Sequence, residues 1–241
     1  VNKFIPEDQY LLDKVHIVSD TKEVQPSSFN SYFRQNPNAK WFSLVKVPMH
    51  IYCLTGTDSI NSFERFLQKL GDAPVISDPI ITRKSQQEIE KAVKNMGYMR
   101  AKVYLDTKIK KNKLKVTYRI EAGKPYIINH IAYHIDDMMI NDFIEKDSIQ
   151  SHLHEGMTFD VTKLDQERQR ITKLLQNNGY YKFNKDFLVY QADTIKDTYQ
   201  VNLTMKLLPY QQRKEDEPTK HKPYTIRHVN YLTEGNLPTP D

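Results

Sequence analysis

Apolar positions along this chain follow two periods, one helical and one extended, and the two alternate in an order that is used twice. Ile89, Ala92, Val93 and Met96 fall at i, i+3, i+4 and i+7, one face of a helix. Ser85 and Glu88 have capping-box spacing and predict its start. Asn95-Met96-Gly97-Tyr98 predicts its end, with Gly97 in the left-handed position after the cap. Leu164, Ile171, Leu174 and Leu175 form a second stripe. Asp160 is its expected N-cap, Phe159 and Leu164 have staple spacing, and Asn177-Asn178-Gly179-Tyr180 closes it. Each Gly-Tyr is followed by two strand patterns: Lys102–Ile109 and Leu114–Ile120, then Asp186–Ala192 and Tyr199–Leu207. In the first of these, Val103, Leu105, Thr107 and Ile109 face one way, and Lys102, Tyr104, Asp106 and Lys108 the other.

Shorter stripes precede the long ones: Phe63, Phe66, Leu67 and Leu70 before Gly71, and Ile149 and Leu153 before Gly156. Strand starts also repeat. Lys-Pro-Tyr-x-Ile-x-His, a β-branched residue and a later Tyr occur at 124–133 and again at 222–231, with a fainter copy at 10–17. Proline opens such a strand where no ladder N–H is required. The unit is therefore strand, helix, helix, strand, strand, occurring twice with a third begun. Tyr10 to Gly71 spans 61 residues but Tyr126 to Gly156 only 30, so the first copy carries an insertion of about thirty residues within 19–59. Phe29, Tyr32, Phe33 and the apolar stretch around Trp41 give that insertion the means to pack. The expected boundaries are 1–123 for the first module, 124–210 for the second, 211–222 for a charged linker, and 223–241 for the first strand of a third. No charged-then-apolar leader follows Val1, and Pro238-Thr239-Pro240-Asp241 completes no element, so a processed chain or a piece of a longer one is expected.

With 39% hydrophobic and 27% charged residues, the 241-residue chain suits several small modules better than one large globule. No apolar run reaches the roughly 18 residues of a membrane helix. The net charge of +5 would allow nucleic acid, but Lys and Arg are interleaved with Asp and Glu, so no nucleic-acid partner is expected. The densest run, 108–113, has the composition of a hairpin turn. Cys53, the single cysteine, sits among Ile51, Tyr52 and Leu54 and is expected to be a buried structural thiol.

Candidate chemistry is sparse. His130 and His134 share a strand face, and His152 and His154 are close in sequence. A metal would need them to converge with an acid, and His228 repeating the place of His130 favours a structural role. Asp136-Asp137 and Glu215-Asp216-Glu217 have no pocket motif around them. The sequence has no P-loop, Gly-x-Ser-x-Gly, His-Glu-x-x-His or Gly-x-Gly-x-x-Gly. No catalytic residue, cofactor or metal is expected, and the chain reads as a non-enzyme.

The repeat resembles the POTRA (polypeptide-transport-associated) domain. The residues carrying the likeness are Gly97-Tyr98, Gly179-Tyr180 and the junction Glu121-Ala122-Gly123-Lys124-Pro125-Tyr126. It is closest to the lipid-anchored TamA-like branch of the BamA/TamA superfamily. That closer likeness rests on 10–15, on Arg34-Gln35-Asn36-Pro37-Asn38-Ala39-Lys40-Trp41-Phe42, and on Gly71-Asp72-Ala73-Pro74-Val75. Two departures stand: Leu208-Pro209-Tyr210 lacks the Glu-x-Gly turn, and the charged linker Gln211–His221 then separates it from the third start; the barrel that the family requires is not among these residues either. The resemblance implies an α+β fold of tandem β-α-α-β-β modules, each a three-stranded sheet covered by two helices. It implies a periplasmic arm at the bacterial outer membrane. The partners would be unfolded outer-membrane protein clients, accessory assembly subunits and the parent's own C-terminal β-barrel. The membrane would be met only through that barrel or a lipid anchor. The alternative is a substrate-channelling arm of a secretion pore or an adhesive surface module (a surface antigen).

In the family the strand after the second helix is a free edge to which an extended client can add. Here that means Lys102, Val103, Tyr104, Leu105, Asp106, Thr107 and Lys108, and Asp186, Phe187, Leu188, Val189 and Tyr190. The lysines also suit a guard against edge-to-edge aggregation. Proline at Tyr104 or Val189 is expected to block such pairing. Gly97, Tyr98, Gly179, Tyr180, Gly123, Pro125 and Trp41 are the expected structural positions.

Overall fold

The computed structural model describes residues 1–40, 46–56, 61–211 and 217–229. The chain divides into two compact units, 1–127 with 158–161, and 128–157 with 162–241. Each unit holds a three-stranded sheet whose last strand lies in the middle. This is the α+β architecture expected from the repeat.

In the first unit the strands are β1 (Leu11–Ser19), β2 (Lys102–Lys110) and β3 (Lys113–Glu121), in the order β1-β3-β2. β1 runs parallel to β3 and β2 antiparallel to it. Between β1 and β2 lie helices α1 (Val47–Tyr52), α2 (Ser62–Leu70) and α3 (Pro79–Asn95). The α3 stripe of Ile89 and Val93 packs on Val103, Val116, Tyr118 and Ile120 from one sheet face. Each fully buried aliphatic side chain there contributes roughly 1.5–3 kcal/mol.

α3 starts two turns earlier than its stripe suggested. Asp78 caps it, accepting from the N–H groups of Ile80 at 2.7 Å and Ile81 at 3.2 Å, and Pro79 occupies the first turn. Ser85 and Glu88 are therefore not a capping box. Ser85 Oγ accepts the N–H of Arg34 at 2.9 Å, and the Glu88 carboxylate pairs with the Arg34 guanidinium, tying the inserted segment to the helix. That segment forms a 3-10 turn (Pro26–Tyr32), places Val24 and Phe29 in the core, and stacks Phe33 on Tyr118 at 5.7 Å. Trp41 lies outside the described residues. Cys53, expected to be buried, is half-exposed at the C-terminal end of α1.

The second unit contains most of β4 (Ile127–His134), then α4 (Met138–Lys146), most of α5 (Val161–Asn177), β5 (Leu188–Thr194) and β6 (Gln200–Leu207), with sheet order β4-β6-β5. The stripe expected at Ile149 and Leu153 is not the first helix. α4 is, with Asp137 as its cap and Ile140 and Ile144 as its buried face. Ile149 is 91% exposed. Ile140, Ile144, Ile171 and Leu175 pack with Leu188, Met205, Tyr180 and Phe183.

Gly97 and Gly179 both have positive φ, +97° and +93°, as the abrupt helix ends required. Tyr98 and Tyr180 turn inward beside them and are buried.

Candidate functional site

In each unit neighbouring chain covers the start of one edge strand, while the other edge strand pairs with no further strand among the described residues. Along β1, the N–H of Leu12 donates to Val75 O at 2.8 Å, and the N–H of Ser77 to Tyr10 O at 2.8 Å. Lys46 Nζ donates to the carbonyls of Leu12 at 3.4 Å and Asp13 at 2.9 Å. Along β4, the Ile128 N–H donates to Met157 O and the Gly156 N–H to Ile128 O, both at 2.8 Å. Among the described residues, β2 pairs only with β3 and β5 only with β6.

Register decides which groups these open edges present. The Val103 N–H reaches Glu90 Oε2 at 3.2 Å, and Gln86 Nε2 donates to the Val103 carbonyl at 2.6 Å. Val103 therefore points its backbone away from β3, toward α3. Alternation puts Leu105, Thr107 and Ile109 on that same outer side. Lys102, Tyr104, Asp106 and Lys108 spend their backbone groups on β3. In β5 the Phe187 carbonyl accepts the N–H of Leu208, and Ile195 bonds to Gln200, so odd-numbered residues face β6. Leu188, Tyr190, Ala192 and Thr194 are the outer set. Proline at Tyr104 or Val189 would thus break the internal ladder, not the edge, which corrects the choice made from side-chain alternation alone.

Side chains along β2 differ in environment. Tyr104 lies under the Arg119 guanidinium at 4.8 Å, and Arg119 reaches Asp106 at 3.3 Å. Val103 is buried, Leu105 half-buried, and Lys102, Thr107 and Lys108 are exposed. The second candidate run starts its strand later than expected. Asn184 caps a 3-10 turn over Lys185–Phe187, so Asp186 and Phe187 precede β5. Asp186 pairs with Arg168 at 3.0 Å, and Phe187 joins a ring cluster with Phe183, Tyr210 and His221.

That ring cluster escaped sequence reasoning. Tyr210 and Thr219 form a two-way backbone bridge, and His221 Nε2 lies 2.8 Å from Leu208 O. Also missed was Glu167, which is fully buried on α5. Its carboxylate accepts from Ser151 Oγ at 3.0 Å, the His152 N–H at 2.8 Å and Arg170 Nη2 at 2.7 Å. Burial works to raise its pKa, but these donors and the Arg170 charge hold it below the ordinary value. An acid on the apolar stripe between Leu164 and Ile171 was the available signal. The Tyr190 hydroxyl is buried nearby with no hydrogen-bond partner among the described residues, and burial pushes its pKa well up.

The histidines do not converge. His130 Nδ1 lies 2.7 Å from Glu155, and His134 Nε2 lies 3.7 Å from Asp136. Among the described residues no group of three His, Cys, Asp or Glu side chains could hold a metal ion. Glu215 and Asp216 lie outside the described residues.

Comparison with solved structures finds likenesses at low identity. BamA from Haemophilus ducreyi lacking POTRA domains 1–3 matches at 15% identity and TM-score 0.40, over 82% of this chain and 29% of that one. Haemophilus influenzae BamA POTRA3-5 matches at 12% and 0.40, over 84% and 68%. The N-terminal domain of Omp85 from the thermophilic cyanobacterium Thermosynechococcus elongatus matches at 10% and 0.38, over 90% and 81%. The chain thus spans less than a third of the first of these. No protein-family model matches it, and no curated protein does.

Proposed function

We propose that this chain is a non-enzymatic, polypeptide-handling arm built from POTRA-like modules, working on the periplasmic side of a bacterial outer membrane. Its clients would be extended segments of outer-membrane proteins, captured by strand addition to β2 and β5. The observation supporting this reading is the asymmetry of the edges. Neighbouring chain covers the first residues of β1 and β4, whereas among the described residues no strand adds to the outer side of β2 beyond Val103 or to that of β5. Main-chain bonding accepts many client sequences, and ordering a free peptide keeps each contact weak. The motifs Gly97-Tyr98, Gly179-Tyr180 and Gly123-Lys124-Pro125-Tyr126 support the tandem arrangement, with Pro223 opening a third module. Accessory subunits and a barrel belonging to the same parent protein complete the proposal.

The test is NMR titration with short peptides from β-barrel proteins. Shifts should concentrate on the amides of Leu105, Thr107 and Ile109, and of Tyr190, Ala192 and Thr194. Shifts confined to α3 or α5 would replace strand addition with docking of a folded partner.

A further inference from the structure

One end of the first unit combines a lysine cluster with an uncovered amphipathic helix. The β2–β3 hairpin turns through Lys111 and Asn112, at φ of +48° and +57°. Lys110 sits opposite Lys113, Lys108 opposite Lys115, and Lys115 opposite Lys14 on β1. Like charges directly across a sheet destabilise it, and here the pairs occur in succession. Lys14, Lys108, Lys110, Lys111, Lys113 and Lys115 line one shallow depression together with Asp13. No ion pair among the described residues engages any of the six. The one carboxylate, Asp13, is already held by Lys46 at 3.1 Å. The field reaches His16, whose pKa is lowered by burial and then by Lys115, Lys14 and Lys40.

The same end carries α2. Asn61 and Glu64 form a capping box that fixes its start. The segment containing it is fastened to the start of β1 through Lys46 and through Val75. The start of β1 lies beside the hairpin, since the Leu11 N–H donates to Asn112 O at 2.9 Å. The helix was expected to bury its apolar stripe, yet Phe63 is 67% exposed, Phe66 56% and Leu70 57%. Leu54, at the end of α1, is also exposed.

We propose that this end of the first unit binds the surface of an anionic phospholipid bilayer directly. The six lysines would meet the headgroup phosphates while Phe63, Phe66 and Leu70 enter the boundary between headgroups and acyl chains. Three features favour lipid over an acidic polypeptide. All six cations are lysines, point charges without the planar fork that grips a carboxylate in two places. The patch is an open surface rather than a cleft shaped to one sequence. An exposed apolar helix face and a lysine cluster at the same end of one unit form the composition that interfacial helices use. This differs from the sequence-based expectation that the membrane is met only through a barrel or lipid anchor, and it does not depend on strand addition.

The experiment is co-sedimentation of the whole chain with vesicles of phosphatidylcholine alone or containing about one-third phosphatidylglycerol. Binding is expected only with the anionic lipid, with release at high salt. Replacing four lysines together (Lys108→Gln, Lys110→Gln, Lys113→Gln, Lys115→Gln) should weaken it at least about tenfold. Phe63→Ser with Phe66→Ser should weaken it to a similar degree while leaving the thermal melt unchanged, because neither ring is in the core. Failure to bind anionic vesicles at low salt overturns the proposal, as does undiminished binding by both variants. Binding of soluble polyglutamate as tightly as vesicles, indifferent to the two phenylalanine changes, would overturn it in favour of an acidic polypeptide.

Discussion

The N–H of Tyr126 donates to the carbonyl of Gly97 at 2.8 Å. One repeat later, Tyr224 donates to Gly179 over the same distance. The glycine that ends each long helix thus receives the tyrosine of the next Lys-Pro-Tyr. At both positions φ is positive and the carbonyl accepts from that tyrosine, but the closeness of approach differs. A Cβ on Gly97 would lie 2.3 Å from Phe159 O and 2.9 Å from Thr158 Cγ2, whereas on Gly179 it would lie 3.0 Å from Tyr224 O.

Gly97→Ala is therefore expected to destabilise more than Gly179→Ala. The second should cost roughly 1–2 kcal/mol from left-handed strain. The first adds a backbone collision and should exceed about 3 kcal/mol. Urea unfolding at neutral pH measures both, and equal costs would mean that the chain around Phe159 yields freely.

Thr107→Pro should abolish peptide binding at β2 while β2 and β3 stay paired, because the lost N–H faces solvent. Tyr104→Pro removes a bond to β3 and should unfold the hairpin. Ala192→Pro and Val189→Pro form the matching pair on β5. Amide exchange across Val116–Ile120 separates the cases: protection retained in Thr107→Pro and lost in Tyr104→Pro.

The inserted segment is expected to be integral to the first unit. Phe29 is buried with Val24 against the sheet, so Phe29→Ala should cost about 3–5 kcal/mol. Arg34→Ala, which breaks an exposed and solvent-screened pair with Glu88, should cost far less. Thermal melts of the two variants give the comparison.

The repeat, the alternation in β2, and the glycine corners were legible because each depends on local rules: period, cap chemistry and the sign of φ. What was missed depends on where chain distant in sequence comes to rest. Ser85 and Glu88 matched a capping box, but Asp78-Pro79 upstream is the stronger start signal, and Ser85 was needed to receive Arg34. Ile149 and Leu153 matched helical spacing, but Asp137 caps a helix earlier and leaves Ile149 in solvent. The outer backbone set on each edge follows hydrogen-bond register, which alternation of side chains cannot reveal. The exposed face of α2 was invisible for the same reason, since a stripe states that a face is apolar and not that anything covers it.

Glu167 supplies the last expectation, a dependence on pH. Its carboxylate is fully buried and joined to Arg170, whose guanidinium also pairs with Asp147. Removing one member of such a pair strands the other charge, so Glu167→Ala should cost about 3–5 kcal/mol. Glu167→Gln, which keeps shape and some hydrogen bonds, should cost about 2 kcal/mol. The folded pKa lies below the ordinary 4.5, so the protein binds fewer protons here folded than unfolded. Its contribution is therefore complete above about pH 4.5 and is lost as pH falls through the depressed folded value. Other carboxylates titrate in the same range, Asp165 beside Lys185 among them, so the useful quantity is the difference between parent and Glu167→Gln. That difference in unfolding free energy should be constant from pH 7 to 5 and shrink below pH 4.5. A difference that stays flat to pH 3 would mean that Glu167 holds the 147–153 segment by shape and hydrogen bonding, with its charge contributing nothing.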